Sequence, residues 1–107
     1  MIEDVKCAVR FLRAHATEYQ IDRKRFGAWG WSAGGHLVSL LGVSDDRDFP
    51  TAQFPGVSAR IQAVVDMYGS TDLRATGYCV KESCKEIFND DETTLQQAGP
   101  VNYVTAD

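Results

Sequence analysis

Residues 25–41 read RFGAWGWSAGGHLVSLL, and this stretch decides the fold. Its first part, residues 25–31, is aromatic or small with little charge, which predicts a short β-strand. From Ser32 to Leu41 the residues become apolar at helical spacing, and Gly42 stands where such a helix would end. The stretch therefore predicts a strand that passes through one tight turn directly into a helix.

The turn has the pattern G-x-S-x-G, in which Ser32 lies between Gly30 and Gly34. A serine hydroxyl is a weak nucleophile that must stand clear of the backbone, facing a base and a substrate carbonyl. A sharp strand-to-helix turn exposes it in this way, provided that the residues two before and two after are small. The pattern predicts a nucleophile elbow with Ser32 as the catalytic nucleophile. The alternative is a glycine-rich loop in which Ser32 only caps the helix.

The start of the helix predicts a second part of such a site. The N–H groups of a first helical turn lack partners within the helix, and the positive end of the helix dipole lies behind them. We therefore expect the Ala33 N–H to donate to an oxyanion formed at the serine. The predicted elbow comprises Gly30, Trp31, Gly34 and Gly35 around these two residues.

The rest of the chain alternates between helix and strand. Apolar residues at steps of three and four predict a helix over 2–19, with Ile2, Val5, Val9, Leu12, Ala16 and Tyr19 on its buried face. Residues 43–60 are polar and broken by proline and glycine, which predicts a loop. The apolar run 61–68 predicts a strand buried on both faces of a parallel sheet. Short helices are predicted around 83–89 and 92–98.

This order predicts an α/β fold with a parallel sheet. A sheet of this kind needs several strands with cover on both faces, so we expect residues 1–107 to form part of a larger domain. The exposed sheet edges then favour self-association as a homo-oligomer.

Composition excludes several classes of function. The chain has 107 residues and a net charge of −4, with no basic run for nucleic acid and no apolar run long enough to span a membrane. Glu3 and Asp4 stand where an export signal would carry bases, which predicts a cytoplasmic protein. The cysteines, Cys7, Cys79 and Cys84, match no zinc pattern and favour free thiols over a Cys79–Cys84 disulfide. No metal and no cofactor are predicted.

The sequence resembles the α/β-hydrolase serine esterases of the hormone-sensitive-lipase and feruloyl/acetyl-esterase-like group. Residues 2–42, IEDVKCAVRFLRAHATEYQIDRKRFGAWGWSAGGHLVSLLG, are similar to that group's helix, turn, elbow strand and "SAGGHL" segment. The run IQAVVDMYGSTDL resembles the next strand, with Ser70 where the group commonly has proline. AGPVNYVTAD resembles the approach to a further strand, with Gly99 in place of serine. The resemblance implies a hydrolase of small-molecule esters that uses a Ser-His-Asp triad.

The resemblance also implies parts that these residues do not contain. The group's oxyanion segment comes before the first helix, and its triad acid and histidine come after the strands found here. The two histidines that are present, His15 and His36, are expected to be solvated and structural, respectively. Asp66 and Asp72 are also expected to be structural, with Asp72 capping a turn, and Trp31 is expected to pack in the core rather than to line an acyl pocket.

We therefore expect residues 1–107 alone to have little or no activity. Two alternatives stay open from the sequence. A prolyl-oligopeptidase-like peptidase shares the fold and a similar elbow. A non-catalytic module that binds a partner or itself would keep the elbow without turnover.

Overall fold

The computed structural model describes residues 1–75, 86–89 and 91–106. Its helices are α1 (Ile2–Ala14), α2 (Ala33–Val43) and α3 (Glu92–Ala98), and its strands are β1 (Gly27–Trp31) and β2 (Ala63–Met67). A 3-10 turn at Pro100–Tyr103 follows α3, and residues 86–88 are helical. The predicted helix at 92–98 is confirmed, whereas residues 83–85 of the other short helix lie outside the described part of the chain.

The two strands pair in parallel, which confirms the predicted sheet type. Gly27 pairs with Ala63 at one end, and Trp31 pairs with Met67 at the other. Because α2 connects directly to β1, it folds back over one face of this pair. Its small residues Gly35, Ser39 and Gly42 lie at helical spacing against β2, which lets helix and strand approach closely.

Gly42 therefore has a different role from the predicted helix stop. The helix continues through it and ends at Val43. A Cβ on Gly42 would overlap a methyl group of Val64, so the missing side chain lets α2 approach β2 closely here.

The predicted burial of β2 on both faces is wrong for the described residues. Paired residues of parallel strands share a face, and α2 covers only one of the two. The other face carries Trp29 and Trp31, which are 63% and 56% exposed, beside the exposed Val65 and Met67.

The first helix is shorter than the predicted 2–19. Regular α-helix ends at Ala14, and one looser turn follows. Ile21 N–H then donates to the Ala16 carbonyl and Gln20 N–H to the Thr17 carbonyl, with Gln20 at φ 55°. This pair of bonds around one left-handed residue is a Schellman motif, which ends a helix and turns the chain away.

The buried face of α1 also differs from the prediction, because it combines apolar and cationic side chains. Ile2 joins Leu40 and Leu41 in the core, with Val5 and Val9 packed beside them, whereas Leu12 and Tyr19 are exposed. The other buried side chains of α1 are those of Lys6, Arg10 and Arg13.

These three cations hold the irregular connection between α2 and β2, residues 44–62. Lys6 Nζ donates to the Asp45 and Asp48 carbonyls at 2.5 and 2.6 Å. Arg10 donates to the Val57 carbonyl and to the Thr51 hydroxyl. Arg13 donates to the Ser58 and Arg60 carbonyls of this connection and also to the Arg23 carbonyl in the turn before β1. Backbone carbonyls of a polar loop thus find partners on one helix instead of water, which fixes a loop that has no helix or strand of its own.

Candidate active site

Ser32 alone forms the junction between β1 and α2. Its backbone has φ 53° and ψ −122°, a region that residues other than glycine rarely adopt. The Ser32 N–H donates to the Met67 carbonyl at 3.0 Å, and its carbonyl accepts from the His36 N–H at 3.0 Å. The first bond extends the strand pairing and the second begins α2, so both elements hold the junction in place. The predicted tight turn is confirmed, and Ser32 is exposed at its apex.

The glycines around Ser32 do not have equal roles. A Cβ on Gly30 would overlap the backbone carbonyl of Gly34, which confirms that a small residue is required two positions before the serine. A Cβ on Gly34 itself would meet no described atom within 4 Å, so the predicted steric need there is wrong. The close contact on the helix side is at Gly35, where a Cβ would overlap the Asp66 carboxylate and approach Gly69.

A cavity of about 520 Å³ opens beside Ser32 and Ala33. This volume is in the usual range for small-molecule sites. Its walls come from the start of α1, one face of α2, residues 70–73 and α3. Its polar lining includes Glu3, Ser32, His36, Ser70, Thr94 and Gln97, and its apolar lining includes Ile2, Leu37, Leu40, Phe49, Leu73 and Phe88.

His36 lines this cavity but is engaged elsewhere. Its Nε2–H donates to the Ala98 carbonyl at 2.7 Å, and its ring lies 6.5 Å from that of Phe88. The bond ties α2 to the end of α3, as expected for a structural histidine.

The prediction that His15 is solvated is wrong. Its ring lies 4.3 Å from the Phe11 ring and 6.0 Å from the Phe54 ring, and it is half-buried. Its Nδ1 also lies 2.8 Å from the Phe11 carbonyl oxygen. Phe54 comes from the 44–62 connection, whose folding onto α1 could not be read from the helix pattern alone.

Asp66 and Asp72 have the structural roles that were predicted. One oxygen of Asp66 accepts from the Ser39 hydroxyl and the other from the Gly69 N–H, each at 2.8 Å, which fastens α2 to the turn after β2. Asp72 accepts from the N–H groups of Arg74 and Ala75 and so caps that turn.

Trp31 neither packs in the core nor lines the cavity. It lies on the open face of the sheet with its ring 5.4 Å from that of Trp29. The predictions that Trp31 packs in the core or lines an acyl pocket are therefore both wrong. Alternation along the strand directs Trp31 to the side away from α2, whereas the cavity is on the α2 side.

The remaining thiol and metal predictions concern residues outside the elbow. Cys7 is a free thiol whose Sγ lies 2.6 Å from Gln53 Oε1. Cys79 and Cys84 lie outside the described residues. Across residues 1–75, 86–89 and 91–106, no group of three His, Cys, Asp or Glu side chains is placed to hold a metal ion. Within the same residues, no helix is long and apolar enough to cross a bilayer.

The cavity includes residues that sequence patterns did not single out. Phe49 comes from the 44–62 connection, and Thr94 and Gln97 come from α3, which no motif connects with Ser32. The Ser70 hydroxyl is buried without a hydrogen-bond partner among the described residues. The one sequence feature that marked Ser70 was that the similar esterases commonly have proline at this position.

The class of protein is the α/β-hydrolase. Its defining features here are a parallel strand pair, a serine with positive φ after the first strand, and a helix that begins directly after that serine. The chain belongs to the BD-FAE family of esterase-like domains, whose family model matches residues 1–107. This confirms the resemblance seen in the sequence.

Two curated relatives align with about two thirds of this chain. The chain is 38% identical over 72 residues to a probable carboxylic ester hydrolase, LipM, of Mycobacterium tuberculosis, an alignment that covers 67% of this chain and 17% of the relative. It is 37% identical over 68 residues to endo-1,4-beta-xylanase B of Butyrivibrio fibrisolvens, covering 63% of this chain and 11% of the relative. The chain thus spans less than a fifth of the length of these relatives.

Solved structures share the architecture over nearly the whole chain. A truncated carbohydrate esterase from gut microbiota superposes with a TM-score of 0.79 at 26% identity, covering 99% of this chain and 45% of that one. An acetyl ester-xyloside bifunctional hydrolase from Caldicellulosiruptor lactoaceticus gives a TM-score of 0.76 at 28% identity, covering 97% of this chain and 39% of that one.

Proposed function

We propose that Ser32 is the nucleophile of a serine carboxylic ester hydrolase that acts on small-molecule esters. The observation that supports this most directly is the exposed Ser32 at a strained junction, opening onto a cavity large enough for a substrate. Strained backbone of this kind persists where the surroundings hold it, and it is frequent at functional sites.

In the proposed reaction the Ser32 Oγ attacks the ester carbonyl carbon as its proton passes to a general base. The Ala33 N–H, at the first position of α2, donates to the oxyanion that forms on the carbonyl oxygen. The alcohol then leaves with a proton and an acyl-serine is formed. Water attacks this acyl group, releases the carboxylic acid and restores the serine hydroxyl.

The relatives favour a carboxylic ester over the peptide alternative. Two of the solved neighbours are described as a carbohydrate esterase and as an acetyl ester-xyloside hydrolase. We propose that the alcohol part of the substrate belongs to a carbohydrate or another small polar molecule. The relatives support this ester hydrolase function better than the peptidase alternative.

We further propose that these 107 residues alone turn over ester slowly or not at all. A triad requires a histidine that accepts the serine proton and an acid behind it. The chain has two histidines, of which His36 is bonded to the Ala98 carbonyl and His15 lies among the rings of Phe11 and Phe54. Asp66 has both carboxylate oxygens engaged by Ser39 and Gly69.

The test is labelling with a fluorophosphonate probe in excess, followed by mass spectrometry, beside hydrolysis of p-nitrophenyl acetate. Ser39→Ala is the matched control, because Ser39 lies on α2 and its hydroxyl donates to Asp66. We expect slow labelling in the wild type and in Ser39→Ala, none in Ser32→Ala, and no turnover above Ser32→Ala. Equal labelling in Ser32→Ala would show that Ser32 is not the nucleophile, and Ser32-dependent turnover would show that the chain is active alone.

The uncovered side of the sheet supports a proposal about partners. Trp29, Trp31, Val65 and Met67 form a continuous apolar surface on the described residues. Contiguous apolar patches larger than a few hundred Å² are uncommon on monomeric proteins. Self-association through the sheet edges stays a prediction from the sequence. We propose that two copies of the chain also associate through this side of the sheet, and sedimentation velocity across a concentration series tests this. The cytoplasmic location stays a prediction.

A further inference from the structure

Phe49 stands out among the apolar residues of the cavity lining, because its backbone alone among them has a positive φ. We propose that Phe49 determines which acyl groups the Ser32 cavity accepts, and that Lys6 is the positioning residue that holds Phe49 in the cavity wall. The inference rests on the proposed function only for the identity of the ligand.

The backbone of Phe49 is held in an unusual conformation. Its φ is 52°, in the left-handed region that bulky residues rarely adopt. The side chain packs against the cluster of Ile2, Leu40 and Leu41, and its ring lies 5.4 Å from that of Tyr103. An aromatic residue kept in a strained backbone at a cavity wall indicates a position that its surroundings fix.

Lys6 supplies the fixation at this point. Its side chain is 1% exposed, and its Nζ donates to the carbonyls of Asp45 and Asp48. The Asp48 carbonyl belongs to the peptide group that leads into Phe49, so the bond to it sets the start of the Phe49 backbone. The same ammonium lies 5.5 Å from the centre of the Phe49 ring, within the range of a cation–π contact. One buried cation therefore holds both the backbone and the ring.

The remaining apolar walls are part of regular structure or the core, whereas Phe49 comes from a connection whose shape depends on side-chain contacts from α1. Residues on such connections commonly set specificity on a rigid scaffold. Ile2, Leu37, Leu40, Leu73 and Phe88 join Phe49 in the lining, which suits an apolar acyl chain. Each buried methylene is expected to raise affinity about threefold to fourfold. The alternative is that the cavity receives the alcohol part of the ester.

The test measures the binding of butyrate and hexanoate, the carboxylic acids that such esters would release, by ¹H–¹⁵N NMR titration. These acids differ by two methylenes, so the ratio of their dissociation constants reports contact with the acyl wall rather than overall stability. We expect a ratio of about ten in the wild type. In Phe49→Ala and in Lys6→Met we expect the ratio to fall below about three.

Matched variants keep a structural effect separate from a specificity effect. Phe54 also has a positive φ, 56°, lies in the same connection and precedes a proline, but it packs against Phe11 instead of the cavity. Phe54→Ala should keep the wild-type ratio. Lys6→Arg keeps a cation with several donors, so its ratio should stay within about twofold of the wild-type ratio. This variant still tests the role of the Lys6 cation if Lys6→Met fails to fold.

Three outcomes would overturn the inference. One is an unchanged ratio in Phe49→Ala, and another is an equal loss in Phe54→Ala. The third is the absence of saturable carboxylate binding, or binding whose shifts lie away from Ser32 and Phe49, because either result would mean that this cavity does not take the acyl part. The titration measures carboxylate binding and needs no reaction at Ser32, so its failure is distinct from a loss of Ser32-dependent labelling, which tests the nucleophile.

Discussion

Gly30 and Gly34 contact each other across the elbow, with the backbone carbonyl of Gly34 filling the place of a Cβ on Gly30. The relationship is one-sided, because a Cβ on Gly34 would point into space that no described atom occupies within 4 Å. Alanine substitutions at the two glycines of the G-x-S-x-G pattern are therefore expected to change stability differently.

Gly30→Ala is expected to destabilise the chain by about 1–3 kcal/mol, because the new methyl group must push β1 away from α2. Gly34→Ala is expected to be neutral or to stabilise by up to about 1 kcal/mol, since alanine is the better helix former. Urea unfolding followed by circular dichroism measures both. Similar losses for the two variants would contradict the one-sided contact.

Arg13→Met is expected to cost about 3 kcal/mol of unfolding free energy. The substitution keeps an unbranched apolar stem but leaves the carbonyls of Arg23, Ser58 and Arg60 without their buried donor. Arg23→Met is the matched control, because the Arg23 side chain is exposed and its change should stay within about 0.5 kcal/mol. Equal urea midpoints for the two variants would show that the buried guanidinium does not hold the connection.

Asp46 is expected to make the free energy of unfolding depend on pH. Burial opposes its ionisation, but hydrogen bonds from Ser58 and Ala59 and the charge of Arg10 outweigh burial and hold the pKa of Asp46 below its usual value. A lowered folded pKa means that the stabilisation is present above about pH 4 and is lost as the pH falls through the folded pKa.

Asp46→Asn should therefore be less stable than the wild type at pH 7 by about 1 kcal/mol, since a third of this side chain is exposed. The difference should shrink toward pH 2, as measured by urea unfolding at several pH values. The exposed Asp4→Asn serves as the control. A difference that is constant with pH would assign the effect to shape rather than to charge.

Ser39 and Asp66 should be energetically coupled. A double-mutant cycle of Ser39→Ala and Asp66→Asn is expected to give a coupling of about 0.5–1.5 kcal/mol, because their hydrogen bond joins α2 to β2. Thermal or urea unfolding of the four proteins provides the values. Additive losses would mean that Asp66 acts only through the Gly69 N–H.

Local sequence patterns encode the elements around Ser32. The strand, tight turn and helix around Ser32 follow from aromatic residues, glycines and a helical apolar period, and all lie where they were predicted within two residues. The structural roles of Asp66 and Asp72 also follow from their place at the end of a strand and before a turn.

Contacts between distant segments were not accessible in the same way. Lys6, Arg10 and Arg13 look like the solvated side of a helix, because most of their partners are backbone carbonyls of distant residues, which carry no residue-type signal. The same connection brings Phe49 to the cavity and Phe54 to His15. Periodicity also cannot tell which face of a strand finds cover, and this explains the errors for β2 and Trp31.

The position of the tryptophans has an optical consequence. Trp29 and Trp31 are the chain's two tryptophans, and both lie exposed on one face of β1 with their rings 5.4 Å apart. All indole emission from these 107 residues therefore comes from a single surface. Water contact should place that emission near the red end of the tryptophan range, and anything that settles on the surface should move it to the blue. The wavelength of tryptophan emission therefore reports whether that side of the sheet is in contact with water.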